Sequence, residues 1–423
     1  MRELKNKTVN GLRLLEKYTK TDMVYLAKGG FWAVLSQIVT SLATLLLAIA
    51  FAHFISKETY GEYKYILSIA SILGALTLTG LNTAVLQSVS RGFDGTLNYA
   101  FWQNVKWSVL FFLISLGSSI YYFVNGNSQL GIALLIVGSL SPFLRSTNLY
   151  NAYLVAKKDF RHSAIYFSII GNLFPSACIL SALLLNPSPL WLVTTYFVSN
   201  TLIGIILYVR TLRIHRPNTN VDPDALSYSK HLSFMDILAT VADNIDQILI
   251  FHYIGAAQLA IYNFAIAIPS QIKGPLKSLA GLIFPKFAER SDQEIRAGIK
   301  NKFLLLLIFG FVIIIGYIII APYIFHMFFP KYTDSIRYSQ IFSVSLLWIV
   351  SIPSDAYLVI RKKVKEQYIL NTLGSIIQIG FLFGGVMWGG ILGLVVAQVA
   401  TKILCSLISI FLYYQASRQY VPE

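Results

Sequence analysis

Seven ionisable residues stand inside long apolar stretches of this 423-residue chain: Arg145, Asp236, Asp243, Asp246, Lys273, Lys277 and Asp355. At mid-bilayer a charge costs about 2.5–3.5 kcal/mol on insertion scales, so each is a candidate for function where its stretch crosses a membrane. Asp236 and Asp243 are seven residues apart, two helical turns, and Asp246 follows three later, so one helix face carries all three acids. Lys273 and Lys277, four apart, share a face of the next helix. Counting rise from the short turn between these helices puts Asp243 and Lys273 at similar depth. Two chemistries fit. The charges could pair inside one lobe as a structural bridge. Alternatively, the acids bind a coupling Na⁺ or H⁺, the only cofactor expected, while the lysines meet an anionic substrate. Arg145 follows Pro142, whose kink can aim a side chain into a cavity. A guanidinium suits a diphosphate through its planar fork, and lysines act on the same group as point charges. Asp355 lies near Arg361 and Lys362, which makes it their expected partner. Lys402 adds a cation near the middle of the last span. His53 and His252 lack companions at metal-ligand spacing and read as interfacial polar aromatics. Cys178 and Cys405 lie in apolar runs and form neither a disulfide framework nor a metal site.

The elements that must position these residues are membrane helices. Hydrophobic residues make up 56% of the chain and charged residues 13%, against about 45–50% and 25% in soluble domains. That balance argues against a soluble enzyme, a disordered chain and a nucleic-acid binder. Spanning a core about 30 Å thick takes about 20 apolar residues as helix. Twelve such runs are present, near 28–54, 60–90, 105–124, 129–155, 163–186, 189–209, 228–254, 258–285, 303–321, 335–360, 366–388 and 390–414. No cleavable signal peptide is expected at the start. The net charge of +15 is a topology signal, since 26 of the 34 lysines and arginines fall in the N-terminal segment, alternate connections and the C-terminal tail. By the positive-inside rule this predicts a multi-pass protein of the plasma (inner) membrane with both termini cytoplasmic. Residues 1–27 carry Leu12, Leu15 and Tyr18 at helical spacing and are expected to form a cytoplasmic amphipathic segment at the lipid headgroups.

The chain also repeats itself. His53-Phe54-Ile55 with Tyr63 recurs 199 residues later as His252-Tyr253-Ile254 with Tyr262, and Ala152–Val155 recurs 204 residues later as Ala356–Val359. Six helices per copy keep both copies in one orientation, so they relate by an axis along the membrane normal, a transporter architecture. The predicted fold is therefore an all-α integral membrane protein of about twelve transmembrane helices in two pseudo-symmetric six-helix lobes with a central cavity. Residues 28–209 form the N-lobe, 210–227 a polar cytoplasmic linker, 228–415 the C-lobe and 416–423 a cytoplasmic tail.

Several segments carry a resemblance to a known family. They are "LAKGGFWAVLSQI", "FAHFISKETYGEYKY", "NIDQILIFHYIGAAQLAIYNFAIAIP" and the two "AYLV" helix ends before basic loops. From about residue 26 to 415 the chain resembles the Wzx-type polysaccharide flippases of the multidrug/oligosaccharidyl-lipid/polysaccharide exporter superfamily. The resemblance implies two six-helix lobes around a V-shaped cavity opening alternately to each side. It also implies cargo made of undecaprenyl-diphosphate-linked oligosaccharide, moved from the cytoplasmic to the outer leaflet for surface polysaccharide assembly. The expected substrate contacts are Arg145, Lys273 and Lys277, and the expected coupling-ion acids Asp236, Asp243 and Asp246. One departure is Leu47, which matches Asp246 in the other lobe.

Expected partners are the polyprenyl-diphosphate-linked oligosaccharide, membrane lipids, and the polymerase and assembly proteins of the same pathway, with no nucleic acid. The competing reading is a cation-coupled multidrug exporter of the same fold, which the helix-seven acids permit and the three cations oppose. A membrane polymerase or ligase would need a large outward polar segment for catalysis. The longest such connection, about 322–334, is mostly apolar, so no enzyme activity is expected.

Overall fold

The computed structural model describes residues 23–289 and 292–418, without the side chains at 23–29, 33, 275, 277–289 and 418. The leucines and tyrosine of the expected amphipathic segment, and the tail beyond Arg418, lie outside the described residues. Among those described, every regular element is a helix. This follows from the composition. In hydrocarbon no water satisfies backbone amides and carbonyls, so a spanning segment must satisfy its own, as a helix does.

All twelve expected spans are present as helical segments, most of them longer than their apolar cores. The first is Met23–Phe54, the third Thr96–Val124, the sixth Pro189–His215, the seventh Ala225–Tyr253, the eighth Ala256–Glu289 and the ninth Asp292–Phe328. Among the described residues, eight segments are long and apolar enough to span by hydropathy, and Val364–Ser417 holds two spans. Gly389 and Gly390 depart from helical angles inside it, and φ +55° at Gly390 marks the turn between the eleventh and twelfth spans. The ninth helix turns Leu304, Leu305, Ile308, Val312 and Ile319 outward, an apolar face suited to lipid.

Four spans are broken, which hydropathy did not predict. The second is Lys57–Gly74 followed by Leu81–Ser90. Amides freed in the gap find side-chain partners: Leu78 N–H donates to Asn104 Oδ1 at 3.2 Å and Gly80 N–H to Ser233 Oγ at 2.9 Å. A Cβ on Gly80 would stand 2.5 Å from the Ser229 carbonyl oxygen, so only glycine permits this approach. The fourth span is Ser128–Thr147 plus Leu149–Ala156, and the fifth carries a π-helical stretch, Ala164–Ile170, before Gly171–Leu185. The tenth is Ser335–Ser343, a 3-10 stretch Val344–Ser351, then Ile352–Ile360 with Pro353 in its first turn.

Packing divides the chain into two units that do not coincide with the sequence halves. One holds Leu76–Leu185 and Thr194–Ser233 with the described chain up to Ala48; the other holds Ile49–Ala75, Asn186–Val193 and the chain from Phe234. The first is cored by Val85, Leu97, Tyr150, Tyr153 and Leu207 among others. The second has clusters around Ile295, Tyr357 and Tyr413 and around Leu276, Ile314 and Leu346.

The internal repeat is visible inside each unit. Lys158 and Lys362, 204 residues apart, both adopt positive φ, 61° and 51°, where the fourth and tenth spans end. The same amides turn back in each copy: Lys157 to Tyr153 and Lys158 to Val155 match Arg361 to Tyr357 and Lys362 to Val359. Each copy then ties its span end to an acid at the start of the preceding odd span. Lys157 meets Asp94 at 2.7 Å, and Arg361 meets Asp292 at 2.8 Å. Asp355 is held by two hydroxyls, Ser351 at 2.9 Å and Ser409 at 2.5 Å. The expectation that it would partner Arg361 and Lys362 overlooked Asp292, which the fold brings to Arg361 from 69 residues away.

The sixth and seventh helices run past the bilayer length, to His215 and from Ala225, leaving a shorter linker than hydropathy implied. That linker is fastened down. Asp222 is buried, accepts from Ser88 Oγ at 2.6 Å, pairs with Arg91, and its own N–H donates to Thr96 Oγ1 at 3.0 Å. Asn218 accepts from the Asp94 amide at 3.1 Å and donates to the Gly92 carbonyl at 2.9 Å.

Candidate functional site

The three aspartates of the seventh helix fall on one face but not in one environment. Asp236 and Asp243 are exposed, while Asp246 retains 3% of its surface. Asp246 is met by the Tyr262 hydroxyl at 2.5 Å, Gln398 Nε2 at 3.1 Å and the Gln247 amide at 2.8 Å. These donors come from the eighth helix, the twelfth span and its own helix. All three are neutral, and an ionised carboxylate has about four acceptor positions. Asp246 therefore keeps capacity for a proton or a small cation. Asp243, almost one turn away, receives Gln378 Nε2 at 3.4 Å, and the same amide donates to the Ala242 carbonyl at 2.8 Å. Gln378 and Gln398 are themselves buried, and Tyr262 is fully so.

Tyr262 is the repeat partner of Tyr63, and Asp246 of Leu47. The acid–tyrosine pair is thus an addition to one copy of the repeat. Sequence reasoning singled out the acid but missed its donors. The signal was available: glutamine is costly inside an apolar span unless hydrogen-bonded, and Gln378 and Gln398 are such residues.

Lys273 is half-buried on the eighth helix with its ammonium 4.6 Å from the centroid of the Phe342 ring, a cation–π contact. Lys277 lies on the same helix, with its side chain outside the described residues. Arg145 sits three residues beyond Pro142, half-buried, within electrostatic reach of Tyr196 on the sixth helix. One further cation, Lys64, falls in the second apolar run. It lies within the helix Lys57–Gly74, 5.6 Å from the Tyr60 ring centroid. Asp246, Asp243 and Lys273 share the second packing unit, whereas Arg145 belongs to the first.

This same second unit joins the ends of the first two spans to the later half of the sequence. Lys57 pairs with Asp334 at 2.9 Å and Lys331 donates to the His53 carbonyl at 2.8 Å. Tyr65 stacks on Phe251 with centroids 3.8 Å apart, and Phe264 contacts both Tyr60 and Tyr332. Gly61 abuts the Ala256 backbone so closely that a Cβ would be 1.9 Å from its carbonyl oxygen.

This arrangement of broken apolar helices with polar groups held between them is a fold found among solved membrane proteins. It is similar to an inward-facing multidrug resistance MATE family transporter of the MOP superfamily, with TM-score 0.69 and 12% identity, covering 90% of this chain and 95% of that one. An outward-facing structure of such a transporter gives TM-score 0.64 and 12% identity over 92% and 96%. A MOP superfamily transporter from Pyrococcus furiosus, described as having a binding pocket of reverse polarity, gives 0.57 and 13% over 93% and 95%. A comparison with curated proteins returns no match. The family described as "Polysaccharide biosynthesis protein" matches residues 26–291, and the chain belongs to that family.

Proposed function

We propose that the protein flips a polyprenyl-diphosphate-linked oligosaccharide from the cytoplasmic to the outer leaflet by alternating access. Membership of the polysaccharide biosynthesis family on a transporter fold is the observation that carries this reading. Half-buried Arg145 and Lys273 support it, because a diphosphate cannot cross hydrocarbon alone and fixed cations replace part of its hydration. In this reading Arg145, Lys273 and Lys277 each offer a cation to the diphosphate as it crosses, while the polyprenyl tail stays in lipid. Sugars need only hydrogen-bonding and aromatic surfaces, which the 25 tyrosines can supply. Asp246 takes up the driving H⁺ or Na⁺, with Asp243 and Asp236 on its approach.

The test is translocation of a fluorescent lipid-linked oligosaccharide in proteoliposomes. Arg145→Ala and Lys273→Ala should each slow flipping about 10-fold or more whatever the sugar, a loss of roughly 1.4 kcal/mol of barrier stabilisation. Arg145→Lys should restore part of it, keeping the charge and losing the fork. Full transport by the double alanine variant would sink the cargo site.

A second reading, a cation-coupled multidrug exporter, is favoured by buried Asp246 and by the solved relatives described as multidrug transporters. It predicts efflux of cationic dyes and no movement of lipid-linked sugar in the same vesicles.

A further inference from the structure

The geometry points to a divalent transition-metal site built from Asp159, His162 and His215, which we propose binds Zn²⁺ or a similar borderline ion. The three ligand atoms, Asp159 Oδ2, His162 Nδ1 and His215 Nε2, all lie within 4.8 Å of one another. Asp159 Oδ2 is 2.7 Å from His162 Nδ1 and 3.4 Å from His215 Nε2. Tetrahedral zinc with bonds of about 2.0 Å requires ligand edges of about 3.3 Å. One edge already has about that length, and side-chain rotation within the 4.8 Å cluster can adjust the other two. Two imidazoles and a carboxylate are a donor set zinc accepts, leaving a fourth position for water.

The ligands are held in place independently of any metal. The other oxygen of Asp159 accepts the His162 amide at 3.2 Å, capping the short turn Phe160–Ser163 and leaving Oδ2 to face both rings. The His162 ring rests against Tyr166 at 5.2 Å, and the His215 ring against buried Tyr153 at 5.8 Å. Side-chain exposures of 24, 36 and 20% leave the cluster accessible to an ion in solution. Two nearby cations are engaged elsewhere: Lys157 with Asp94, and Arg210 over the Tyr166 ring at 5.6 Å. Arg161, Arg213 and Arg216 adjoin the ligands in sequence and oppose a dication, a repulsion that salt screens beyond about 8 Å.

The site is particular to one copy of the repeat. The 204-residue shift places Lys363 opposite Asp159 and Glu366 opposite His162. A bound ion would crosslink the connection after the fourth span to the end of the sixth, within one packing unit. Nothing in this depends on what the transporter carries.

The experiment uses the full chain in detergent with any affinity tag removed. Zn²⁺ is titrated calorimetrically, Co²⁺ is followed by its visible ligand-field absorption, and melting is recorded with and without metal. Expected are one saturable site per chain, tetrahedral Co²⁺ intensity, and a melting temperature that rises with Zn²⁺. Protons should compete with the metal, because both ring nitrogens must present lone pairs. His215→Ala, which leaves the Asp159 cap intact, should weaken binding at least about 10-fold and abolish the melting shift. His326→Ala should change neither. Absence of saturable binding in well-folded protein, or binding that survives a His162→Ala/His215→Ala double variant, would overturn the site.

Discussion

Asp246 concentrates the residue-scale argument. Its carboxylate is enclosed by a phenol, an amide side chain and a backbone amide, all neutral donors. Hydrogen bonds to a charged group contribute about 1.5–3 kcal/mol each, while a buried charge without enough of them is heavily penalised. Such a group responds strongly to a proton or Na⁺, which suits a coupling role. Asp246→Asn should leave insertion and melting close to wild type and remove the dependence of flipping on the ion gradient. Tyr262→Phe should preserve coupling but shift the ion concentration at half-maximal rate. Gradient-driven flipping that persists unchanged in Asp246→Asn vesicles would confine the residue to packing.

Among the elements, the linker shows how a polar segment is made rigid. Asp222 is held below the usual carboxylate range, first by the Ser88 hydroxyl and further by the Asp224 amide and Arg91, against the opposing effect of burial. A carboxyl lowered on folding adds stability that is fully present above its unfolded pKa. That stability is lost as pH falls through the folded value. Asp222→Asn should therefore lower the melting temperature at neutral pH and flatten the decline on acidification. A melting curve against pH with the wild-type slope would remove Asp222 from that account. The helix Lys57–Gly74 makes a sharper steric case. Gly61→Ala drives a methyl into the Ala256 carbonyl, and overpacking of that kind costs about 1–3 kcal/mol. Gly61→Ala should therefore lower the melting temperature; an unchanged melting point would show that the backbone yields locally.

For the molecule as a whole, the testable matter is orientation. Cysteines at Lys158, Asn218 and Lys363 should react only from the cytoplasmic side, because all three belong to basic connections. Labelling of any of them by an impermeant reagent outside cells would reverse or refute the topology. The repeated ion pairs, Lys157–Asp94 and Arg361–Asp292, give each unit the same fastening between the start of one span and the end of the next.

By itself the sequence determined which segments are spans, the repeat and the family, because these are one-dimensional properties. A run such as 303–321 must be a membrane helix whatever surrounds it, since hydrocarbon leaves its backbone no other partner. Likewise the shift that pairs Lys158 with Lys362 already contained the matching helix ends. The acid at 246 was legible as a charge out of place. Only the tertiary structure decided that Asp246 is buried while Asp236 and Asp243 are exposed, because all three share a face and depth alone does not select among them. The same holds for Asp292 taking Arg361, for Gln398 reaching Asp246 across 152 residues, and for Asp159 meeting His215 from another span. Breaks such as 75–80 were equally hidden. An apolar run reports the cost of exposure to lipid, but whether its helix can open depends on distant donors and acceptors, here Asn104 and Ser233, that satisfy the freed amides.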